Sequence, residues 1–377
     1  MSDPIVVIAY NTAHYVLMMR ANLIRSLQRN GFSVAVIAPS DKYVEKLEGM
    51  GVEFIDLPIK MNKNPFTDLI LTFRFRRNLK KLNPTVFLGY TAKPNIFGGL
   101  AAQSLGIPVV NNISGLGAVF DSQGFVSKVM QALYKVALAR SVMVFFQNPD
   151  DAALFLDQCV IKHKRYEILP GSGVDLEHFA SVPIPPLRGR KFRFLLIARM
   201  LRDKGVVEFV DAARRILAGR QDIEFELLGS TGIDNPTAVT RETLEEWMAE
   251  GIVQYSDFCE DVRPKICAAD CVVLPSYREG TPRSLLEAAS MGRPIITTDA
   301  IGCKEAVVDG VTGLVCKPRD SADLEAKMRA VLALRRDELA TMGNNGRRLM
   351  EERFDENLVI EHYLQIINDA SRDYRHR

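Results

Sequence analysis

Short β-rich apolar runs alternate with longer helix-like segments along nearly the whole chain of 377 residues, and no other feature of the sequence restricts the fold as much. Apolar runs of that length, each followed by a stretch of helical periodicity, are the pattern of parallel strands joined by crossover helices, so the class is α/β. The first half predicts strands at Ile5–Tyr10, Val34–Ala38, Phe54–Leu57, Thr85–Leu88, Val109–Asn112, Val142–Phe146 and Glu167–Leu169, with helices between them. In the helix predicted over His14–Arg29, Val16, Leu17, Ile24 and Leu27 form the apolar face, Arg20, Arg25 and Arg29 lie elsewhere, and Asn30-Gly31 is the stop.

Between Ser181 and Lys191 three prolines and a glycine forbid a continuous helix or a central strand. The alternation then restarts with strands at Phe192–Ala198, Glu224–Leu228, Val253–Tyr255, Cys271–Leu274, Ile295–Thr298 and Gly313–Val315. Helices are predicted at Val206–Ala218, Thr240–Glu250, Arg263–Ala268 and Pro282–Met291, with further helical segments from Ala322 onward. The expected organisation is a doubly wound domain over 1–182, a linker at 183–191 and a second doubly wound domain over 192–355. A C-terminal helix over 356–377 is expected to pack back on the first domain. Sheets of this kind bind ligands at their carboxyl ends, which places the expected active site between the two domains.

Charge narrows the function classes. With 48 basic and 46 acidic residues the formal net charge is +2, too even a balance for a protein held to nucleic acid by phosphate neutralisation. The six cysteines, at 159, 259, 267, 271, 303 and 316, form no CxxC pair and suit reduced thiols in a cytosolic protein rather than a disulfide framework or a zinc site. No apolar stretch approaches the ~20 residues that cross a bilayer, so membrane contact is expected to be peripheral.

Two stretches carry chemistry. Arg278-Glu279-Gly280-Thr281-Pro282-Arg283-Ser284-Leu285-Leu286-Glu287 follows the strand Cys271–Leu274. Thr281 is the expected N-cap and Pro282 the first helical residue, so the amides of that turn make an anion site. Glu279 lies before the helix and Glu287 within it, too far apart for a stacked acid/base pair; beside a phosphate site both suit neutral hydroxyls of a sugar or ribose. The second stretch, Ala198-Arg199-Met200-Leu201-Arg202-Asp203-Lys204-Gly205, sets a guanidinium and an ammonium at a strand's carboxyl end, as a departing diphosphate requires. Arg202-Asp203-Lys204 also reads as a solvated turn. Leu227-Leu228-Gly229-Ser230 ends a strand in a glycine where backbone could approach a nucleotide.

In this order the pieces resemble the retaining GT-B glycosyltransferases of family 4, whose Glu-x7-Glu signature Glu279 and Glu287 match. Pro170-Gly171-Ser172-Gly173-Val174-Asp175 followed by Phe179 fits the same family, and the likeness covers essentially the whole chain. It implies that Arg199 and Lys204 hold the donor diphosphate, Glu287 the ribose and Glu279 the donor sugar, with Gly229, Gly280, Thr281, Pro282 and Ser284 around the donor. No tightly bound cofactor and no metal-ligating residue are expected; the UDP-sugar is a substrate, no Asp-x-Asp motif accompanies its site, and a divalent-ion requirement is left open.

Tyr90–Gly98, Asn111–Gly117 and Tyr277–Gly280 with Ser284 look like a narrower branch, the bacterial enzymes that extend sugars on undecaprenyl diphosphate, N-acetylgalactosaminyltransferases among them. The first loop is Asn11-Thr12-Ala13-His14 where the family usually has Gly-Gly, and no histidine stands beside Ser114 where many members place one. Asn11, His14, Lys93, Ser114 and Gly115 are the expected acceptor-side residues. His14 reads equally as an exposed helix-start histidine and Lys93 as a loop cap.

The segment Lys60–Lys81 carries seven basic residues against Asp68, and residues 1–182 hold 19 basic and 14 acidic side chains. Phe66, Phe73, Arg74, Phe75, Arg76, Arg77, Lys80 and Lys81 would contact anionic lipid, unless the segment is simply a crossover helix with a solvated basic edge. The expected function is transfer of a hexose or N-acetylhexosamine, N-acetylgalactosamine first, from a UDP-sugar to a polyprenyl-diphosphate-linked saccharide at the cytoplasmic face of the cell membrane. A transferase acting on a soluble acceptor and a non-catalytic nucleotide-sugar-binding protein are the alternatives.

Overall fold

The computed structural model describes residues 3–59, 65–115, 125–158, 160–161 and 166–375. The chain forms two compact units, one of Met1–Ser172 with Asn357–Arg377, the other of Gly173–Glu356.

In the first unit seven parallel strands pair in the order β3-β2-β1-β4-β5-β6-β7, with β1 at Ile5–Ala9, β2 at Ser33–Ala38, β3 at Glu53–Asp56, β4 at Val86–Tyr90, β5 at Val109–Ile113, β6 at Met143–Phe146 and β7 at Tyr166–Ile168. All of β4 and β5 is buried, because helices cover both faces of the sheet. Helices α1 (Ala13–Arg29), α2 (Val44–Glu48), α3 (Pro65–Leu82), α4 (Gly99–Gln103), α5 (Phe125–Leu138) and α6 (Pro149–Asp157) make the crossovers. Strand residues alternate between two cores: Val7, Ala35, Phe87 and Val109 meet Phe75 and Leu79 of α3 and Tyr134 of α5, while Val6, Ile8, Val34 and Leu88 meet Ile24 and Leu27 of α1. The C-terminal helix Glu356–Arg375 closes that second core with Val359, Tyr363 and Ile367.

Thr12 starts α1, its hydroxyl accepting from the Tyr15 amide at 3.1 Å. Arg20 departs from expectation. It stands four residues from both Val16 and Ile24, hence on the buried stripe, and is 3% exposed with its guanidinium carbon 4.4 Å from the centre of the Tyr90 ring and 5.6 Å from that of Tyr363.

The second unit repeats the topology with six parallel strands in the order β10-β9-β8-β11-β12-β13. They are β8 (Phe192–Ile197), β9 (Ile223–Leu228), β10 (Gln254–Ser256), β11 (Cys271–Leu274), β12 (Ile295–Thr298) and β13 (Gly313–Cys316), with helices α7 (Val206–Leu217), α8 (Arg241–Ala249), α9 (Arg263–Ala268), α10 (Arg283–Ser290), α11 (Ser321–Ala333) and α12 (Arg336–Arg353). In both units the crossovers reverse direction beside the first strand, between β1 and β4 and between β8 and β11. Doubly wound sheets open a crevice for ligands at that point.

The 183–191 stretch, expected to link two domains, belongs to the second unit. Arg190 grips Asp270 with two bonds of 2.6 and 2.7 Å, and Asp270, fully buried, also accepts from Arg336 at 2.8 Å and the Arg193 amide at 2.8 Å. Arg336 further donates to the Pro185 carbonyl. The passages between units lie instead at Ser172/Gly173 and Glu356/Asn357. There Val174 donates to the Phe354 carbonyl at 2.7 Å and Glu356 to the Val174 carbonyl at 3.1 Å.

Asp270→Ala leaves two guanidinium groups and an amide without their acceptor. We expect it to lower the unfolding free energy of the second unit by about 3 kcal/mol, read from the urea midpoint of that unit's transition. A loss below ~1 kcal/mol would mean that solvent already carries these charges.

Candidate functional site

The reversal point of the second sheet is flanked by two loops. From β8 the chain passes Arg199 into a single 3-10 turn, Arg202–Lys204, and then Gly205; from β11 it runs through Pro275-Ser276-Tyr277 to Glu279. The two are tied along their length. The Asp203 carbonyl accepts from the Tyr277 amide at 2.9 Å and the Ser276 hydroxyl at 3.1 Å, and Gly205, at φ +73°, lets the backbones meet where a Cβ would stand 2.2 Å from the Pro275 oxygen.

At their tips the Lys204 ammonium and the Glu279 carboxylate form an ion pair, with side chains 17% and 14% exposed. The sequence suggested both residues but not that they touch. Arg199, two residues past the end of β8, is exposed and has no carboxylate partner among the described residues.

Tyr277 braces this arrangement. Its hydroxyl donates to Glu208 Oε1 at 2.6 Å, and the Arg319 guanidinium carbon lies 4.7 Å from its ring centre. Burial raises the pKa of the hydroxyl, and the bond to Glu208 raises it further, so the proton stays on the oxygen that donates. Arg319 occupies a left-handed backbone conformation at φ +61°, strain that its stacking on Tyr277 accompanies. None of the three entered the sequence reading as a functional residue, although Tyr277 precedes the motif directly.

Helix α10 begins one residue later than expected. Pro282 is its N-cap, with ψ 97° outside the helical range, and the Pro282 carbonyl takes the first bonds from Leu285 at 3.0 Å and Leu286 at 3.3 Å. Thr281 therefore precedes the cap, and the first turn holds Arg283 and Ser284 behind a proline whose side chain makes no cap bond. Gly280 and Thr281 lie in the loop before it. Glu287, 7% exposed, accepts from Arg283 Nε at 2.7 Å one turn away; burial pushes its pKa up, and the Arg283 charge opposes that rise. Gly229 has another reason to be glycine than a nearby nucleotide. At φ +145° its Cβ would stand 1.9 Å from the Ala198 oxygen, so it seats β9 against the exit of β8, and its carbonyl accepts from the Tyr255 hydroxyl at 3.0 Å.

In the first unit the corresponding strand ends are held by neutral groups. Thr91, just after β4, is a β-branched residue at φ +62°, followed by a π-helix over Pro94–Gly98. From that turn the buried Asn95 donates to the Asn112 carbonyl at 2.8 Å and accepts from Asn111 at 3.0 Å; Ser141 donates to Asn111 at 2.6 Å, and Asn112 donates to the Tyr363 hydroxyl of the C-terminal helix. This fastens β5 on both faces directly before Ser114, which is half-buried, and Gly115, which is exposed at φ +102°. Leu116 and Gly117 lie outside the described residues. Asn11 Oδ1, after β1, is buried with no hydrogen-bond partner among the described residues. His14 is half-buried, its amide donating to Asp41 at 2.9 Å and its ring 4.5 Å from that of Tyr43, so it is not a freely exposed histidine. Lys93 is paired with Asp68 at 2.6 Å, a partner 25 residues away that the sequence did not indicate.

The basic segment divides by helical phase. Phe75 is fully buried against Phe87, which removes it from any lipid-facing set, while Phe73, 65% exposed, points outward with Arg74, Arg76, Arg77, Lys80 and Lys81. The side chain of Phe66 lies outside the described residues. No helix among the described residues is long and apolar enough to cross a membrane.

Residues 7–148 match the sequence family described as "Glycosyl transferase 4-like", and residues 191–334 match "Glycosyl transferases group 1". The chain is 30% identical over 363 residues, 92% of its length and 94% of the relative's, to N,N'-diacetylbacillosaminyl-diphospho-undecaprenol alpha-1,3-N-acetylgalactosaminyltransferase of Campylobacter jejuni. It is 24% identical over 253 residues, 64% of its length and 65% of the relative's, to UDP-Gal:alpha-D-GlcNAc-diphosphoundecaprenol alpha-1,3-galactosyltransferase of Escherichia coli. Among solved structures, Anabaena HepE in complex with UDP and glucose superposes with a TM-score of 0.80 at 16% identity, covering 97% of this chain and 100% of that one, a likeness of fold.

Burial of Glu287 sets the sign of a pH dependence. Folding raises its affinity for a proton, so this side chain favours the folded state below the ordinary carboxylate range and withdraws that support as pH rises through its raised pKa. Between pH ~4 and ~7 the Tm of the wild type should therefore fall relative to that of Glu287→Gln. Parallel curves would show that the carboxylate is not desolvated.

Proposed function

Because the chain belongs to the group 1, 4-like glycosyltransferases of GT-B fold, we propose that it transfers a hexose or N-acetylhexosamine from a UDP-sugar to a polyprenyl-diphosphate-linked saccharide with retention of anomeric configuration. The observation that carries this reading is the Lys204–Glu279 pair beside Arg199 at the reversal point of the second sheet. An ammonium and a guanidinium there suit a diphosphate that gains charge as it leaves. The names of the Campylobacter and Escherichia relatives support undecaprenyl-diphosphate-linked acceptors, and the first of them favours N-acetylgalactosamine as the sugar moved in bacterial glycan assembly.

Each group then has one task. Arg199, Lys204 and the first turn of α10 hold the diphosphate; Glu287 accepts from ribose hydroxyls, and Glu279 from the donor sugar while it keeps Lys204 aimed. Gly280, Thr281, Pro282 and Ser284 supply the surrounding loop and helix start. The anomeric carbon–oxygen bond to the diphosphate breaks, the acceptor oxygen bonds to the same face, and the acceptor's proton passes to the departing phosphate oxygen. No side-chain nucleophile and no tightly bound cofactor enter this scheme. Asn11, His14, Lys93, Ser114 and Gly115 of the first unit face the acceptor, and α3 rests on the inner face of the cell membrane through Phe73, Arg74, Arg76, Arg77, Lys80 and Lys81.

Arg199→Ala and Lys204→Ala should each lower kcat by about 10²-fold, the cost of one oxyanion-type donor. Near-normal turnover in either purified variant would remove that residue from the diphosphate site. Glu287→Gln should chiefly raise the donor KM and Glu279→Gln chiefly lower kcat, because ribose contacts persist unchanged from ground to transition state. Matching kinetics for the two would overturn the division.

UDP release that depends on added lipid-linked acceptor separates transfer from mere nucleotide-sugar binding. NMR of the first product should show the donor's anomeric configuration; an inverted coupling constant would exclude the retaining route.

A further inference from the structure

We infer that the bilayer-facing surface of the first unit is made by two helices and that α5, Phe125–Leu138, is its second lipid-contact element. This rests on the lipid-linked acceptor proposed above and extends it to a helix that the sequence did not single out.

Helices α3 and α5 cover the same face of the first sheet, on either side of the Pro94–Gly98 turn, and both pack against it. Tyr134, Ala137 and Leu138 bury the inner side of α5. Its outer side exposes an apolar stripe of Val129, Ala132 and Val136, with Val136 60% exposed. On α3, Leu69, Ile70 and Phe73 are each more than half exposed. Large apolar side chains left in water on two neighbouring helices need a covering.

Charge identifies the covering. Helix α5 contains no acidic residue, and Lys128 and Lys135 flank its stripe, both exposed. On α3 the only acid, Asp68, is paired with Lys93. An occupant that meets basic groups with an anionic layer and apolar groups with a hydrocarbon layer behind it is an anionic leaflet.

Topology adds direction. Helices in parallel crossovers start at the carboxyl ends of the strands, so Leu69, Ile70, Phe73 and Val129 stand toward the end of the sheet that holds Asn11, Lys93 and Ser114, where a lipid-bound acceptor must be presented.

The test is flotation of the full chain with vesicles of 30% phosphatidylglycerol and with neutral vesicles, in about 0.1 M and 1 M salt. Lys128→Ala/Lys135→Ala should weaken partition onto anionic vesicles at low salt by about 30-fold, as two basic contacts imply. Val129→Ser/Val136→Ser should weaken it about ten-fold, with the loss persisting at high salt. All variants should keep the wild-type affinity for UDP and the wild-type thermal melt.

If both α5 variants float like the wild type while Arg74→Ala/Arg77→Ala does not, α5 is not a lipid-contact element and docking through α3 stands. A wild type that binds no vesicle overturns membrane docking altogether. Sedimentation showing a dimer that the valine variant abolishes would assign the surface to a second copy of the chain and overturn the inference. As a check independent of affinity, the indole fluorescence of Trp247→Phe/Val136→Trp should be quenched by lipids brominated near the headgroup. Unquenched indole emission from bound protein would also reject it.

Discussion

Where the crossovers of a parallel sheet reverse, the two loops leave for opposite faces and nothing in the ladder holds them together; in the second unit they are nevertheless close enough for Lys204 and Glu279 to pair at their tips. Opposite charges this shielded attract more strongly than on an open surface, but only if the backbones that carry them are fixed. The fixing is supplied by the Asp203 carbonyl, which takes two donors from the opposite loop, and by Gly205, which removes the one atom that would hold the loops apart. Tyr277 adds a third tie through Glu208. The ion pair is thus a product of close backbone approach, and the positions of both charges follow from it.

In the first unit β5 is fastened by neutral amides. Asn95, Asn111 and Asn112 can each donate and accept, so with Ser141 and Tyr363 they bind β5 to both layers of helix through uncharged groups. Thr91 keeps its unfavourable backbone conformation because β4 on one side and the π-helix on the other leave no alternative path. Two sheets of one topology are therefore fastened differently: an ion pair joins the loops at the reversal of one, and side-chain amides hold β5 of the other.

The strands were legible because interior parallel strands read as short apolar runs, and Cys271–Leu274 and Ile295–Thr298 have the bounds the sequence suggests. The residue types of the Lys204 and Glu279 loops were legible as well. What the sequence hid depends on partners far along the chain. Helical phase puts Arg20 on the buried stripe, but the rings of Tyr90 and Tyr363 that receive its charge there come from β4 and the C-terminal helix. Lys93 is engaged because α3 sets Asp68 against it, and the proline-rich 183–191 stretch is held because a buried carboxylate at 270 gathers Arg190 and Arg336. Phe75 differs: its burial followed from helical phase, and the density of basic and aromatic residues around it obscured that phase.

Helix α10 shows how fold and chemistry meet in one element. Its carboxyl end is surrounded by cations: Arg347 donates to the Ser290 carbonyl at 3.1 Å and to the Leu176 and Phe179 carbonyls, while Arg293, fully buried, donates to Met291 at 3.1 Å and to Val182, Ile266 and Cys267. Cations there oppose the negative end of the helix dipole and join the 173–182 passage to α10. At the amino end the N-cap is a proline, whose side chain makes no cap bond. Carbonyls that need partners are thus answered by arginines at the structural end, and the dipole's positive end is turned toward the loop of Glu279. With Pro282 at the N-cap, the cap residue itself makes no side-chain bond to that turn, and the positive end of the dipole remains where a helix start binds anions.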